Sequence, residues 1–209
     1  MEFEIQSMSL GMLGTNCYLG IRKDTLDTLI FDPGAEGDRL IRYIEREGLH
    51  PAAILLTHGH YDHIMAVRDL KEKYNLPVYA HEAEQEVLEN PAFNLSTMFG
   101  SPVHMKADHP VTDGQMLEIA GVKIQVLHTP GHTPGGVSYY IDEAKILISG
   151  DTLFADSVGR TDFPMGSMHT LLRSVREKLF VLEDDVSVLP GHGPETTIGW
   201  EKKNNPFVQ

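Results

Sequence analysis

Basic side chains are scarce in this chain of 209 residues: 17 Lys and Arg stand against 30 Asp and Glu, a formal net charge of −13 at pH 7. Nonspecific nucleic-acid binding needs a basic surface to neutralise phosphates, so that class of partner is excluded. Cysteine is scarcer still. Cys17 stands alone, which rules out an intramolecular disulfide and leans toward a reducing compartment. Within Asn16-Cys17-Tyr18-Leu19 it reads as a small buried hydrophobe. No apolar run is long enough to span a bilayer, and no basic region followed by an apolar stretch marks a secretory signal. The expectation is a cytoplasmic protein with neither a membrane nor a nucleic acid as partner. No repeat, low-complexity stretch or linker divides the chain. A hydrophobic content of 41% over this length suffices for one core, so residues 1–209 read as a single domain.

Histidine, by contrast, is concentrated. Thr57-His58-Gly59-His60-Tyr61-Asp62-His63 follows the apolar run Ala52-Ala53-Ile54-Leu55-Leu56 directly. A strand there delivers the chain to a tight loop at its carboxyl end, where ring nitrogens and carboxylate oxygens can turn inward. Neutral imidazole and carboxylate suit Zn most readily, and Fe or Mn as well, with no thiolate nearby to build a structural cysteine cage. His58 and His60 alternate along an extended segment and face one way. Asp62 and His63, entering the next helix, can serve a second ion.

The same event recurs three times. Val122-Lys123-Ile124-Gln125-Val126-Leu127 leads to Thr129-Pro130-Gly131-His132; Lys145-Ile146-Leu147-Ile148-Ser149 leads to Gly150-Asp151; Val186-Ser187-Val188-Leu189 leads to Pro190-Gly191-His192. Catalytic groups in layered α/β proteins sit on loops beyond strand ends, because the sheet is rigid and the loop leaves the side chain exposed. A single loop histidine is ordinarily no ligand, but four such strand ends point to one convergent site.

These residues, in this order, resemble the metallo-β-lactamase superfamily signature H-x-H-x-D-H followed by a histidine, an aspartate and a final histidine. The resemblance spans nearly the whole chain and implies two divalent metal ions. His58, His60 and His132 hold one, Asp62, His63 and His192 the other, and Asp151 bridges them. It also implies an α/β (α+β) fold arranged as a four-layer αββα sandwich; strand and helix alternation alone shows only an α/β or α+β domain. Within the superfamily the chain looks most like the short glyoxalase II-like, hydroxyacylglutathione hydrolase-like group. Pro130-Gly131-His132-Thr133-Pro134-Gly135-Gly136, Gly159-Arg160-Thr161-Asp162-Phe163-Pro164, Pro190-Gly191-His192-Gly193-Pro194 and the ending Glu201-Lys202-Lys203-Asn204-Asn205-Pro206-Phe207 carry that likeness. One departure is Ile64-Met65-Ala66, where many members have Ile-Gly-Gly. It spares the ligands and alters the packing of the helix behind them.

The activity implied is hydrolysis of a small-molecule thioester, with water activated at the ions and oriented by Asp62. In longer glyoxalase II enzymes a basic residue shortly after the bridging aspartate, and others in a C-terminal extension, grip the glutathione carboxylates. Arg160 matches the first in position, and Lys202 and Lys203 loosely match the second. A mononuclear-iron persulfide dioxygenase shares the fold and a Gly-Arg-Thr-Asp-Phe segment, but the ending Gly191-His192-Gly193-Pro194 favours the hydrolase. A β-lactamase is disfavoured because the second set of ligands contains no cysteine. A purely structural metal site is disfavoured because such sites are closed, whereas seven ligands around two ions leave open positions.

Asp32, in Phe31-Asp32-Pro33-Gly34, either orients a ligand histidine or makes the turn. His128 stands next to the turn to His132 as a supporting group. His50, His81, His104, His109 and His169 lack a partner at ligand spacing and read as ordinary polar residues. Glu82, Glu84, Glu86 and Glu89 read as a solvated helix face. The remaining pattern gives strands near residues 3–10, 16–22 and 26–32, a helix over 38–47 ended by Gly48, and a helix from the metal motif through Val67 and Leu70 toward Tyr74. A short strand after Pro77 and a helix around 81–88 come next. Residues 91–114 read as an irregular loop lining the pocket, strands dominate to Ile148, and Ser167 caps an amphipathic helix.

Overall fold

The computed structural model describes residues 2–208. Strands β1 (Phe3–Leu10), β2 (Thr15–Arg22) and β3 (Asp27–Phe31) form an antiparallel meander, which β4 (His50–Leu55), β5 (Val78–His81) and β6 (His109–Val111) extend in parallel. The crossover from β3 to β4 is α1 (Gly37–Glu47); α2 (Tyr61–Ile64) and α3 (Val67–Tyr74) link β4 to β5, and α4 (Gln85–Glu89) precedes β6. A second six-stranded sheet begins with the meander β7 (Met116–Ile119), β8 (Val122–His128), β9 (Val137–Ile141) and β10 (Ile146–Gly150). The two-stranded β11 (Leu153–Phe154) and β12 (Ser157–Val158) lead into α5 (Met168–Ser174), after which β13 (Ser187–Pro190) pairs parallel to β10 and β14 (Thr196–Thr197) closes the edge. The last helix is α6 (Ile198–Asn204).

Side-chain alternation explains the layers. Along β3, Leu29 and Phe31 enter the core between the sheets while Ile30 enters the core under the helices, the period of two that a strand imposes. Between the sheets, Phe31 meets Tyr139 with ring centroids 5.8 Å apart. Outside the first sheet, Leu40 and Ile44 of α1 and Leu70 of α3 pack on Leu19, Ile30 and Ile54; outside the second, Leu171 of α5 and the following Val175 and Leu179 pack on Leu147 and Val188. Leu40 and Ile44 lie four apart on one helix face, and Gly48 ends that helix in the left-handed region at φ 64°. The result is the four-layer αββα sandwich. No helix among the described residues is long and apolar enough to cross a membrane.

Local differences from the sequence pattern have local causes. The helix expected to run from the metal motif to Tyr74 breaks at Met65-Ala66, where the Ala66 N–H donates to the Pro33 carbonyl at 2.9 Å instead of continuing the helix. Ala66 itself is buried in the core, so the departure from Ile-Gly-Gly places a methyl group in packed space. Around residues 81–88 a 3₁₀ turn, Glu82–Glu84, precedes α4. Residues 91–114 are more ordered than a loop: a 3₁₀ turn spans Ser96–Phe99, and β6 pairs with β5. Tyr79 and His109 stack across that pair at 4.9 Å. Ser167 caps α5 as expected, its Oγ accepting from the Thr170 N–H at 3.3 Å.

Candidate metal centre

Five strand ends meet at one edge of the sandwich. β4 delivers His58, His60, Asp62 and His63; β8 leads to His132, β10 to Asp151, β13 to His192, and β3 to Asp32. Cross-links between the sheets hold these ends in register: the Val137 N–H donates to the Thr57 carbonyl at 2.8 Å, and the Tyr139 hydroxyl to the Leu56 carbonyl at 2.9 Å. From the other side, Tyr18 and Asn16 of β2 donate to the Pro190 carbonyl at 2.7 and 3.0 Å. Gly191 is a required glycine, since a Cβ there would collide with Asp151 Oδ1 and His63 Cε1.

Two groups of donors result. His58, His60 and His132 bring one nitrogen each within 4.8 Å of one another, and Asp62, His63 and His192 do the same with a carboxylate oxygen and two nitrogens. In the first group His132 Nε2 and His60 Nδ1 stand 2.9 Å apart. In the second, Asp62 Oδ2 stands 3.2 Å from His192 Nε2 and 3.6 Å from His63 Nε2. Asp151 lies between the groups: Oδ2 is 3.5 Å from His132 Nε2 and 3.6 Å from His192 Nε2, and Oδ1 is 3.5 Å from His63 Nε2. His58 Nε2, His63 Nε2 and Asp151 Oδ1 are buried without a hydrogen-bond partner. Buried polar atoms are ordinarily paired, so a cluster of orphaned nitrogen and oxygen donors fits a divalent-metal site.

A second ring of groups holds three of the imidazoles, His58, His63 and His132, by their other nitrogen. Asp32 is buried; its Oδ2 accepts from the Thr57 hydroxyl at 2.6 Å and faces His63 Nδ1 at 2.9 Å, and its Oδ1 accepts from the Thr57 N–H at 2.8 Å. Asp32 thus stands beside His63 and does more than make the turn after β3. The Thr57 hydroxyl in turn faces His58 Nδ1 at 3.1 Å, and His132 Nδ1 faces the Arg160 carbonyl at 2.6 Å. With Nδ1–H donating outward, Nε2 of the neutral His58 and His132 keeps its lone pair for the centre; His63 Nε2 faces the same way but carries a proton while that ring is charged. Thr15 donates to Asp62 Oδ2 at 2.9 Å.

Charge follows the same plan. Burial, reinforced by neighbouring imidazoles, holds His58 and His60 well below the usual histidine range, and burial also lowers His132. All three are neutral imidazoles at pH 7. Burial opposes charge on His63 as well, yet Asp62, Asp151 and Asp32 outweigh it and push that imidazole up to about 10. Asp62 is held well below the carboxylate range, its burial overcome by His63, His192 and the Thr15 hydroxyl. Three carboxylates around one buried imidazole thus favour positive charge at the second group, a setting that fits a divalent cation.

One glutamate departs from the solvated face assigned to it. Glu82, Glu86 and Glu89 are exposed, but Glu84 is buried. Its Oε1 accepts from the Gly59 N–H at 2.7 Å; its Oε2 accepts from the Thr133 hydroxyl at 2.9 Å and the Gly135 N–H at 2.8 Å. A single carboxylate therefore ties the loop between His58 and His60 to the loop after His132. Burial pushes its carboxyl up to about 7 against those three donors. The signal for it lay in spacing: Glu84, Val87 and Leu88 share the i, i+3, i+4 face that turns inward.

A cavity of about 390 Å³ opens over the centre, with His60, Asp62, His132, Asp151 and His192 at its floor and Arg160 at its wall. Lys202 and Lys203 do not reach it. Lys202 Nζ donates to the Leu182 carbonyl at 2.8 Å and pairs with Asp184 at 2.7 Å, because the basic last turn of α6 faces that acidic loop; Lys203 is exposed on the same turn. His128 supports the site at one remove, Nε2 facing the Pro134 carbonyl at 3.0 Å on the loop that carries His132. Cys17 is buried, as its apolar context implied.

A model of the metallo-β-lactamase superfamily matches residues 10–192. The chain belongs to that superfamily. Among its members, a probable metallo-hydrolase of Bacillus subtilis, YqgX, is 45% identical over 203 residues, 96% of this chain and 95% of that one. The hydroxyacylglutathione hydrolase GloC of Haemophilus influenzae is 40% identical over 197 residues, 92% of each. The crystal structure of BLEG-1, described as a B3 metallo-β-lactamase, is 43% identical with a TM-score of 0.94, covering 99% of this chain and all of that one. The superfamily's metallo-hydrolase character agrees with the donor cluster found here.

Proposed function

We propose that the protein is a binuclear metal-dependent thioester hydrolase. The observation that carries this is Asp151, whose two oxygens face both groups of donors at the floor of an open cavity. His58, His60 and His132 would hold one divalent ion, Asp62, His63 and His192 the other, and Asp151 would touch both, with zinc, iron or manganese all suited to these donors. Ions bound there supply a Lewis acid for the acyl carbonyl and acidify water toward a pKa of about 7.

The chain's own groups do the rest. Asp62, ionised at neutral pH, accepts a hydrogen bond from the attacking water and aims its oxygen at the acyl carbon. The new bond is carbon to oxygen and the broken one carbon to sulfur. The leaving thiolate needs little acid assistance, since thiols ionise near pH 8.5. It takes up the proton the water gave, and the products are a carboxylic acid and a thiol. Asp32, Thr57 and the Arg160 carbonyl keep the imidazoles from rotating through the cycle. The similarity to GloC supports a thioester of a small thiol with a 2-hydroxyacyl group as the starting substrate.

A second reading, β-lactam hydrolysis, is favoured by the 43% identity to BLEG-1. One assay separates them: metal-replete and chelator-treated protein, each given S-D-lactoylglutathione, its diethyl ester and a chromogenic cephalosporin. Chelator-sensitive release of thiol supports the thioesterase. Cephalosporin opening without thioester turnover contradicts it, as does oxygen uptake on glutathione persulfide by an iron-loaded protein that leaves thioesters intact.

A further inference from the structure

Both groups of donors straddle the gap between the sheets. In the first, His58 and His60 follow β4 of one sheet and His132 follows β8 of the other; in the second, Asp62 and His63 follow β4 and His192 follows β13. Donors drawn from two sheets keep their spacing only if something crosses between them. For the first group that crossing is Glu84, which joins Gly59 to Thr133 and Gly135.

The second group has a different crossing, at the start of β2. Thr15 is buried, and its hydroxyl donates to Asp62 Oδ2 at 2.9 Å. Apart from the imidazoles of its own group, no other hydrogen bond reaches that carboxylate among the described residues. The neighbouring Asn16 reaches the other sheet. Its backbone N–H donates to the Gly191 carbonyl at 2.8 Å, and its Nδ2 donates to the Pro190 carbonyl at 3.0 Å and the Gly193 carbonyl at 2.9 Å. The loop is thereby gripped on both sides of His192. That grip stands in for the side-chain support given to His58, His63 and His132, because among the described residues nothing hydrogen-bonds His192 Nδ1.

We propose that Thr15 and Asn16 are positioning residues for the second ion alone, as Glu84 is for the first, so that each ion depends on its own crossing between the sheets. The inference rests on the two-ion part of the proposed function and adds which residues outside the donor set govern each ion. A carboxylate oxygen that accepts one hydrogen bond keeps a second lone pair, so Thr15 fixes the direction in which Asp62 Oδ2 offers it. Asn16 fixes how far His192 stands from Asp62 and His63. Asp32 differs from both: it faces His63 directly and reaches His58 through Thr57, and so serves the two groups together.

Zinc binding to metal-free protein, followed by calorimetry with a competing chelator and by elemental analysis, tests this division. Wild type should bind in two steps, and His192→Ala, which lacks a donor of the second group, identifies the step that belongs there. Thr15→Val keeps the shape of the side chain and removes the hydroxyl. It should weaken that step about 10-fold and leave the other within about 2-fold. Thr15→Ser should return the wild-type value, and metal-free Thr15→Val should melt within about 4 °C of wild type. Asn16→Ala should weaken the same step at least as much. Glu84→Gln should show the reverse pattern, with the first ion weakened and the second kept. Two ions in wild type, with both steps of Thr15→Val unmoved or equally weakened, overturns the inference and leaves the two-ion reading in place. One ion per chain in wild type overturns the two-ion reading, and the inference with it. Two ions divided in this way without thioester turnover keeps the inference and overturns the reaction alone.

Discussion

The floor of the cavity and its rim are held in different ways. On the floor, His58, His60, His63 and His132 are buried, and three of them are pinned through Nδ1 by Thr57, Asp32 or a backbone carbonyl. Behind them Glu84 ties two ligand loops together with three hydrogen bonds. On the rim, Leu13, Met98 and Phe99 stand on turns and are 42 to 72% exposed, with Phe99 stacked on Tyr61. The donor groups sit on strand ends that cannot move independently, and the apolar rim sits on loops that can change without disturbing them. Substitutions on the floor should therefore alter metal content first, and substitutions on the rim should alter KM with metal content intact.

The largest effect is expected at Asp151. Asp151→Ala removes the carboxylate that faces both donor groups, and should lower hydrolysis on the order of 10³-fold while cutting bound metal toward one ion per chain. Elemental analysis beside the rate checks both halves. Asp32→Asn should come next. The amide still accepts from Thr57 through its oxygen but no longer offers His63 a charged partner, and metal affinity at the second group should fall about 10- to 100-fold. Equal affinity in a metal titration would show that the floor is held by packing alone.

Glu84→Gln probes the floor from further away. Its amide presents N–H toward either the Gly59 or the Gly135 backbone N–H, so one of those donors loses its acceptor at a cost of about 1–3 kcal/mol. Hydrogen exchange at Gly59 and Gly135 should quicken. The same residue has a pH signature. Its carboxyl is pushed up to about 7 in the fold, above the unfolded value near 4.3, so its contribution to stability is present at pH 4 and lost as pH rises through 7. Metal-free wild type should lose melting temperature relative to Glu84→Gln across that window. The smallest change belongs to the rim: Met98→Ala should raise KM a few-fold and leave kcat and metal content near wild type.

The convergence of donors on the floor was legible because four of them are close in sequence and the rest follow apolar runs. His58, His60, Asp62 and His63 fall within six positions, and His132, Asp151 and His192 each follow an apolar run that becomes a strand. Glu84 was hidden because its meaning is tertiary. Among four glutamates on a short helical stretch, only the approach of the Gly59 and Thr133 loops decides which one turns inward. Lys202 misled for the same reason, since its partner Asp184 lies 18 residues earlier across a loop. The order within residues 91–114 was missed because β6 depends on pairing with β5, a contact that no local pattern announces.

The central claim is a two-ion hydrolytic centre shared through Asp151. Zinc titration into metal-free protein, with thioester turnover followed at each addition, tests it most directly. The account predicts binding that saturates at two ions per chain and activity that rises chiefly with the second. Full activity at one equivalent, with no further ion bound, would contradict it.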